Sequence, residues 1–176
     1  MNIETLAHGG RTTTGLAGLD TAKLKAMRNA SLRECFHLME DTQYRMEFVA
    51  RILEREYIDD AAARTVNATW YSLERVQGGI IWIATGCEHE IDYSRLEPVV
   101  LRKVRMLLVL GPDAQLRKAF SGVVPTIEAC HSMAEAVHKA YTYESMDVRV
   151  LFSPACDDGT PTEALGEAFK SEVNEL

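Results

Sequence analysis

The chain has 176 residues, of which 47% are hydrophobic and 26% are charged, and its formal net charge at pH 7 is −7. This length suits a single domain built around one core. The net acidity, together with the lack of a Lys/Arg block, argues against nucleic acid as a partner. The longest apolar run, residues 80–84, is far too short to span a bilayer, and the amino terminus lacks a signal-peptide pattern. We therefore expect a cytoplasmic protein without a membrane partner.

The amino-terminal residues 1–42 are expected to form a flexible arm and helices, apart from a domain that spans residues 43–176. Residues 1–20 are rich in glycine and threonine, which is typical of mobile segments. A short helix is predicted at about residues 20–27. A second helix is predicted from Ser31, where Glu34 completes a capping box.

Residues 46–52 and 55–59 are predicted to be two strands of a hairpin. The turn between them would be Leu53-Glu54. Two-residue hairpin turns favour Asn-Gly, because both positions need a positive φ. The pairing is therefore predicted, while a turn longer than two residues stays open.

From residue 65 onwards, amphipathic helices alternate with short apolar strands. Strands are predicted at residues 80–84, 106–110, 123–127 and 148–152. Helices are predicted at residues 65–76, then from Ser94, after Gly111-Pro112, from Ser132 and from Thr160. Ser94 with Glu97, and Ser132 with Glu135, form capping-box patterns. This order predicts an α/β, Rossmann-like, doubly wound and mostly parallel sheet with helices on both faces. Ligands of such sheets bind beyond the carboxyl ends of the strands.

The cysteines, with two histidines, allow two interpretations. Cys35, Cys87, Cys130 and Cys156 are widely spaced, which in a cytoplasmic chain predicts four reduced thiols. A metal site is the alternative, because thiolate and imidazole groups suit zinc and five of them follow predicted strands at one edge. These candidates are Cys87, His89, Cys130, His131 and Cys156. Their spacing matches no zinc signature, so no metal is assigned.

The sequence lacks the usual signatures of an independent catalytic site. It has no G-x-x-x-x-G-K-[ST] phosphate loop, and Ser153 is not surrounded by a Gly-x-Ser-x-Gly elbow. We therefore assign no catalytic residue from the sequence.

Several stretches together resemble one known family. They are Tyr44-Arg45-Met46-Glu47-Phe48-Val49, Tyr57-Ile58-Asp59-Asp60, residues 66–74 (VNATWYSLE), residues 81–86 (IWIATG), Asp92-Tyr93-Ser94, residues 151–156 (LFSPAC) and Phe169-Lys170. In this order they resemble the C-terminal domain of the Mur ligases, and most of all its D-glutamate-adding members, over about residues 43–176. Residues 66–74 and the Ser-Pro-Ala-Cys segment are the most specific parts.

The resemblance also implies which functional positions have changed. The family motif Asp-Ser-Lys-Ala-Thr-Asn contains a lysine whose place is taken by Ala62 in this chain. The family motif Gly-Gly-x-Asp-Lys-Gly contains a second lysine, and His89 takes its place. Asp157 and Asp158 stand in place of the Ser-Phe segment that follows Ser-Pro-Ala-Cys. Arg45 and Asp60 match positions that approach the nucleotide in the assembled ligase, so a residual nucleotide contact is expected there. Residues 1–42 are expected to be a remnant of the family's central ATPase domain.

These substitutions lead to two expectations for function. The first is a non-catalytic, stand-alone binding or regulatory module linked to peptidoglycan precursor synthesis, which needs no cofactor alone and has an unidentified protein partner. The second is the C-terminal subunit of a split ATP-dependent amino-acid ligase, completed by a partner ATPase chain that supplies the ATP and magnesium site. The first is preferred, because cations have gone from the acceptor site and acidic residues have replaced them.

Overall fold

The computed structural model describes residues 21–37, 42–145 and 147–176. The expectation for residues 1–20 lies outside these ranges. The described helices are α1 (Thr21–His37), α2 (Val66–Arg75), α3 (Glu97–Lys103), α4 (Ala114–Phe120), α5 (Met133–Thr142) and α6 (Thr162–Asn174). The described strands are β1 (Glu47–Ile52), β2 (Arg55–Asp59), β3 (Gly79–Thr85), β4 (Val104–Leu110), β5 (Thr126–Cys130) and β6 (Val148–Phe152). No helix within the described ranges is both long and apolar enough to cross a membrane.

The six described strands form one sheet in the order β1-β2-β6-β3-β4-β5. β1 and β2 pair as an antiparallel hairpin, and all other neighbours are parallel. The strands β3, β4 and β6 therefore end at the same edge. This arrangement confirms the predicted α/β, mostly parallel sheet.

Helices cover both faces of this sheet, which is why its central strands are apolar at successive positions. Along β3, Trp82 packs into one core cluster while Ile81 and Ile83 pack into the other. Every residue of β3 is buried. Trp70 of α2 and Tyr57 of β2 are also core residues, with 5% and 0% of their surface exposed.

Two predicted helix starts are wrong. Ser31 lies inside one continuous helix, α1, because neither glycine nor proline interrupts residues 21–37. Ser94 does not cap a helix: it opens a short 3₁₀ turn, and its N–H donates to Asp92 Oδ1 at 2.9 Å. By contrast, Ser132 caps α5 and accepts a hydrogen bond from the N–H of Glu135, as predicted.

The strand predicted at residues 123–127 is displaced along the chain to Thr126–Cys130. Val123 and Val124 instead belong to the turn that follows α4, where both N–H groups donate to the Phe120 carbonyl. Pro125 comes next and has no N–H to donate, so regular pairing with β4 begins only at Thr126. The apolar run at residues 123–124 marks this turn and not the strand.

The hairpin of β1 and β2 closes through the two residues Leu53 and Glu54. Both have positive φ values, 48° and 63°. Asn-Gly turns favour this backbone conformation. Residues other than glycine and asparagine adopt it only at a cost in free energy. The hairpin therefore forms despite its turn residues, because the strand pairing and the packing of β2 against β6 determine the register.

We expect the double substitution Leu53→Asn/Glu54→Gly to raise the free energy of unfolding by about 1 kcal/mol, because both new residues tolerate a positive φ. Urea denaturation measures this change. Leu101→Asn is the matched control, since Leu101 is as exposed as Leu53, at 62% against 60%, but lies in a helix. Equal effects of the two leucine substitutions in single variants would contradict the explanation.

Candidate ligand pocket at the carboxyl edge of the sheet

A cavity of about 380 Å³ lies at the carboxyl ends of β3 and β4. It is lined by the loops that follow β3, β4 and β6. The polar and charged side chains along it include Thr85, Glu88, His89, Asp157 and Asp158. Its place agrees with the rule that ligands of parallel sheets bind beyond the strand ends.

The loops after β3 and β4 approach each other closely at Gly86. A Cβ atom at this position would lie 1.6 Å from the Pro112 carbonyl oxygen, so a larger residue does not fit. The Gly86 N–H also donates to the Leu110 carbonyl at 2.7 Å. These contacts fix one wall of the cavity.

Gln115 of α4 holds the next part of the same loop. Its Nε2 donates to the carbonyls of Cys87 and His89, at 2.9 and 2.7 Å, and its Oε1 accepts the N–H of Ile91 at 2.9 Å. This role could not be predicted from the sequence, because a glutamine in a short helix resembles any solvent-facing residue. Gln115 positions the exposed side chains of Glu88 and His89.

We define the acidic rim as Glu88, Asp157 and Asp158. Arg64 faces this rim and forms ion pairs with both aspartates, the second at 3.3 Å. Arg64 also donates to the Thr160 carbonyl, and only 16% of its side chain is exposed. The pKa of Asp157 is lowered, most of all by the hydrogen bond that its carboxylate accepts from the Gly159 N–H and next by Arg64. The rim carries three carboxylates, and Arg64 is already paired with two of them.

The structure brings together only some of the predicted acceptor-site positions. His89, Asp157 and Asp158 all line the cavity. Ala62 does not: it is half-buried against the second core cluster, and its N–H donates to the Tyr44 carbonyl at 3.0 Å. Arg64, two residues later, reaches the rim instead, and sequence reasoning missed it because its side chain extends away from its position in the chain.

Arg45 and Asp60 form a buried ion pair, with side-chain exposures of 2% and 0%. Asp60 also accepts hydrogen bonds from Ser153 Oγ at 3.0 Å and from the Met46 N–H at 3.2 Å. Burial raises the pKa of Asp60 to about 6, and Arg45 opposes this shift. Both residues face one another inside the domain, so the predicted nucleotide contact stays a prediction that requires the pair to open.

Asp59, beside this pair, is a second buried carboxylate. Its Oδ1 accepts the Ala61 N–H at 3.0 Å, while its Oδ2 has no hydrogen-bond partner and lies 3.9 Å from Lys170 Nζ. Lys170 bonds more closely to Glu47, at 2.8 Å, and lies 4.4 Å from the centre of the Tyr44 ring. Burial raises the pKa of Asp59 to about 6.

The prediction of four reduced thiols is wrong, because Cys87 and Cys156 form a disulfide. Cys130 is a buried free thiol and Cys35 an exposed one. The described residues contain no group of three or more His, Cys, Asp or Glu side chains that could hold a metal ion. The disulfide also occupies Cys87 and Cys156, two of the candidate thiolate ligands. Cys130 and His131 lie at the end of another strand, β5.

Comparison with known proteins identifies the relatives of this domain. No family model matches the chain. It is 36% identical over 182 residues to the UDP-N-acetylmuramoylalanine–D-glutamate ligase of Porphyromonas gingivalis, across 100% of this chain and 40% of the ligase. It is 34% identical over 165 residues to the ligase of the same name from Christiangramia forsetii, across 92% of this chain and 37% of the ligase.

A solved structure shares the fold. The murein peptide ligase of Psychrobacter arcticus superposes with a TM-score of 0.53 and 11% identity, over 76% of this chain and 30% of that protein. The sheet topology and these matches together define an α/β domain of the Mur ligase C-terminal type. The chain is a homologue of the UDP-N-acetylmuramoylalanine–D-glutamate ligases and corresponds to their C-terminal part. It spans about 40% of the length of these curated relatives.

We expect the stability of the protein to rise by about 1 kcal/mol between pH 7 and pH 5 through Asp59 alone. Its pKa in the folded state is about 6, above the ordinary value of 3.8, so the folded protein binds a proton in this range before the unfolded chain does. The Asp59→Asn variant lacks this gain, and urea denaturation at several pH values measures the difference. Asp157→Asn is the control, since its pKa is lowered and it stays ionised throughout this range. Parallel pH profiles for the wild type and Asp59→Asn would refute the assignment.

Proposed function

We propose that this domain is a non-catalytic binding or regulatory module linked to peptidoglycan precursor synthesis. The observation that supports the proposal is the acidic rim, Glu88, Asp157 and Asp158, which lines the cavity beside His89, where the family resemblance leads us to expect a lysine. A homologous core with an altered pocket is typical of domains in which the fold is retained while the site changes.

Electrostatics argue against D-glutamate as a ligand of this pocket. Two like charges about 4 Å apart repel by about 1 kcal/mol in water and by about 4 kcal/mol near a protein surface. Arg64 does not compensate, because its guanidinium already donates to Thr160 and to both aspartates. A dicarboxylate would have to break these bonds before Arg64 could bind it. The same charges favour a neutral or cationic ligand.

In this proposal the domain needs no cofactor of its own and works in the cytoplasm with an unidentified protein partner. ATP and magnesium enter only through a partner that carries an ATPase domain. The described ranges offer no metal cluster to replace such a site.

The split-ligase subunit remains the second candidate, and α1 is the observation in its favour. Most of α1 is exposed, including the apolar side chains of Leu24 and Met27, at 37% and 55%. The alignment with the Porphyromonas gingivalis ligase covers the whole chain and so includes this helix. A partner ATPase chain would cover α1 and would have to open the Arg45–Asp60 pair to use it for nucleotide binding.

We expect wild-type protein to show no saturable binding of D-glutamate, while Asp157→Asn/Asp158→Asn gains affinity by about tenfold or more, since 1.4 kcal/mol corresponds to a factor of ten. This variant removes two negative charges and frees Arg64. Chemical-shift perturbation during titration gives the Kd of the variant and a lower limit on the Kd of the wild type. Glu97→Gln/Asp147→Asn is the matched control, because it removes two exposed charges outside the pocket lining. Saturable D-glutamate binding by the wild type at Glu88–Glu90 would contradict the proposal.

Activity separates the two candidate functions. We expect the purified chain to release no phosphate when supplied with ATP, magnesium, UDP-N-acetylmuramoyl-L-alanine and D-glutamate. Turnover by the chain alone would overturn the first candidate. Turnover that appears only with a co-purified, stoichiometric ATP-binding chain would establish the second.

A further inference from the structure

The disulfide joins two of the loops that line the pocket. Cys87 follows β3 and Cys156 follows β6, and these strands are parallel neighbours in the sheet. Their carboxyl ends therefore place the loops side by side, with 6.6 Å between the two Cα atoms although 69 positions separate the residues in sequence.

The two cysteines differ in their position relative to the cavity. Cys87 lines the cavity of about 380 Å³, although only 6% of its surface is exposed. Cys156 is not part of that lining: it is 2% exposed, and its Sγ lies 3.5 Å from Thr85 Oγ1 and 3.2 Å from the Thr85 carbonyl oxygen. A thiolate inside the cavity therefore adjoins Cys87 and not Cys156.

We propose that Cys87 and Cys156 form a reversible thiol–disulfide pair that exchanges with a low-molecular-weight thiol of the glutathione class. Disulfides are rare in the reducing cytoplasm unless they respond to redox conditions, so a bond next to a ligand pocket suits a regulatory modification. This proposal concerns the state of the pocket and does not depend on which ligand the pocket takes.

The exchange proceeds in two balanced steps. A glutathione thiolate attacks Cys87 Sγ, the bond between the two cysteines breaks, and Cys156 leaves as a thiolate that takes a proton from water. A second glutathione thiolate then attacks the glutathione sulfur of the mixed disulfide and releases Cys87 as a thiolate, which is protonated in turn. Two electrons reduce the protein, and two glutathione molecules become one glutathione disulfide.

The bond controls the acidic rim because each cysteine adjoins part of it. Cys87 precedes Glu88, and Cys156 precedes Asp157 and Asp158. The rest of each loop has independent anchors: Gln115 holds one, and the Ala155 N–H donates to the Ala63 carbonyl at 3.0 Å in the other. Reduction therefore removes the covalent link between the two parts of the rim without unfolding the domain.

The first test counts thiols in the full chain, with Cys35→Ser in the background to prevent bonding between molecules. Protein equilibrated with a series of glutathione and glutathione disulfide ratios is alkylated and weighed by mass spectrometry. After alkylation in denaturant, which exposes the buried Cys130, we expect one alkylated thiol in the oxidised form and three in the reduced form. The midpoint between the two forms should lie within the series of ratios, and the oxidised form should yield a Cys87–Cys156 peptide. Three thiols at every ratio, one thiol at every ratio, or a different pairing would each overturn the proposal.

The second test compares the two single-cysteine variants of the pair in the same background. With glutathione disulfide, Cys156→Ser should form a mixed disulfide at Cys87 at least about tenfold faster than Cys87→Ser forms one at Cys156, because access controls the reaction. Circular dichroism checks that both variants fold, and rates from a misfolded variant are replaced by those of the corresponding alanine variant. Equal rates, or a faster reaction at Cys156, would overturn the assignment of Cys87 as the attacked sulfur.

Discussion

The buried carboxylate of Asp60 connects the parts of the chain on which the carboxyl edge of the sheet depends. It pairs with Arg45 before β1 and accepts a hydrogen bond from Ser153 after β6. Arg45 in turn donates to Ser72 Oγ of α2 at 3.1 Å, and Ser153 lies 2.9 Å from Thr69 Oγ1 of the same helix. A buried charge is tolerated only where such partners are complete. The network therefore fixes the hairpin, α2 and the end of β6 relative to one another, and the pocket loops start from these fixed points.

The pocket loops themselves carry the change that separates this domain from what the family resemblance implies. The side chains of the sheet pack against helices on both faces, so substitutions there are restricted by packing. Loop residues such as Glu88, His89 and Asp157 are exposed, and a change of charge at these positions leaves the core untouched. In the proposed function, this difference allows a chain 36% identical to a UDP-N-acetylmuramoylalanine–D-glutamate ligase to retain the fold with a differently charged pocket.

Sequence reasoning predicted the central sheet because β3, β4 and β6 are apolar on both faces, a pattern that short buried strands share. It misplaced β5, an edge strand whose residues are mostly half-buried, so that the apolar run of the preceding turn gave the stronger signal. It also predicted the cavity edge and the acidic residues there. It missed Arg64 and Gln115, because the reach of a long side chain depends on the arrangement of distant loops.

The disulfide shows most clearly which information the sequence lacks. Both cysteines were placed correctly at the carboxyl edge, but their pairing depends on the strand order, in which β6 lies between β2 and β3. Cys130 lies at the same edge yet ends β5, which is separated from β3 by β4, and it stays a free thiol. Adjacent strands bring Cys87 and Cys156 together, and the same adjacency places Glu88 and Asp157 along one cavity. The topology that pairs the cysteines thus also concentrates the negative charge, so the covalent state of the edge and its electrostatic character have one structural origin.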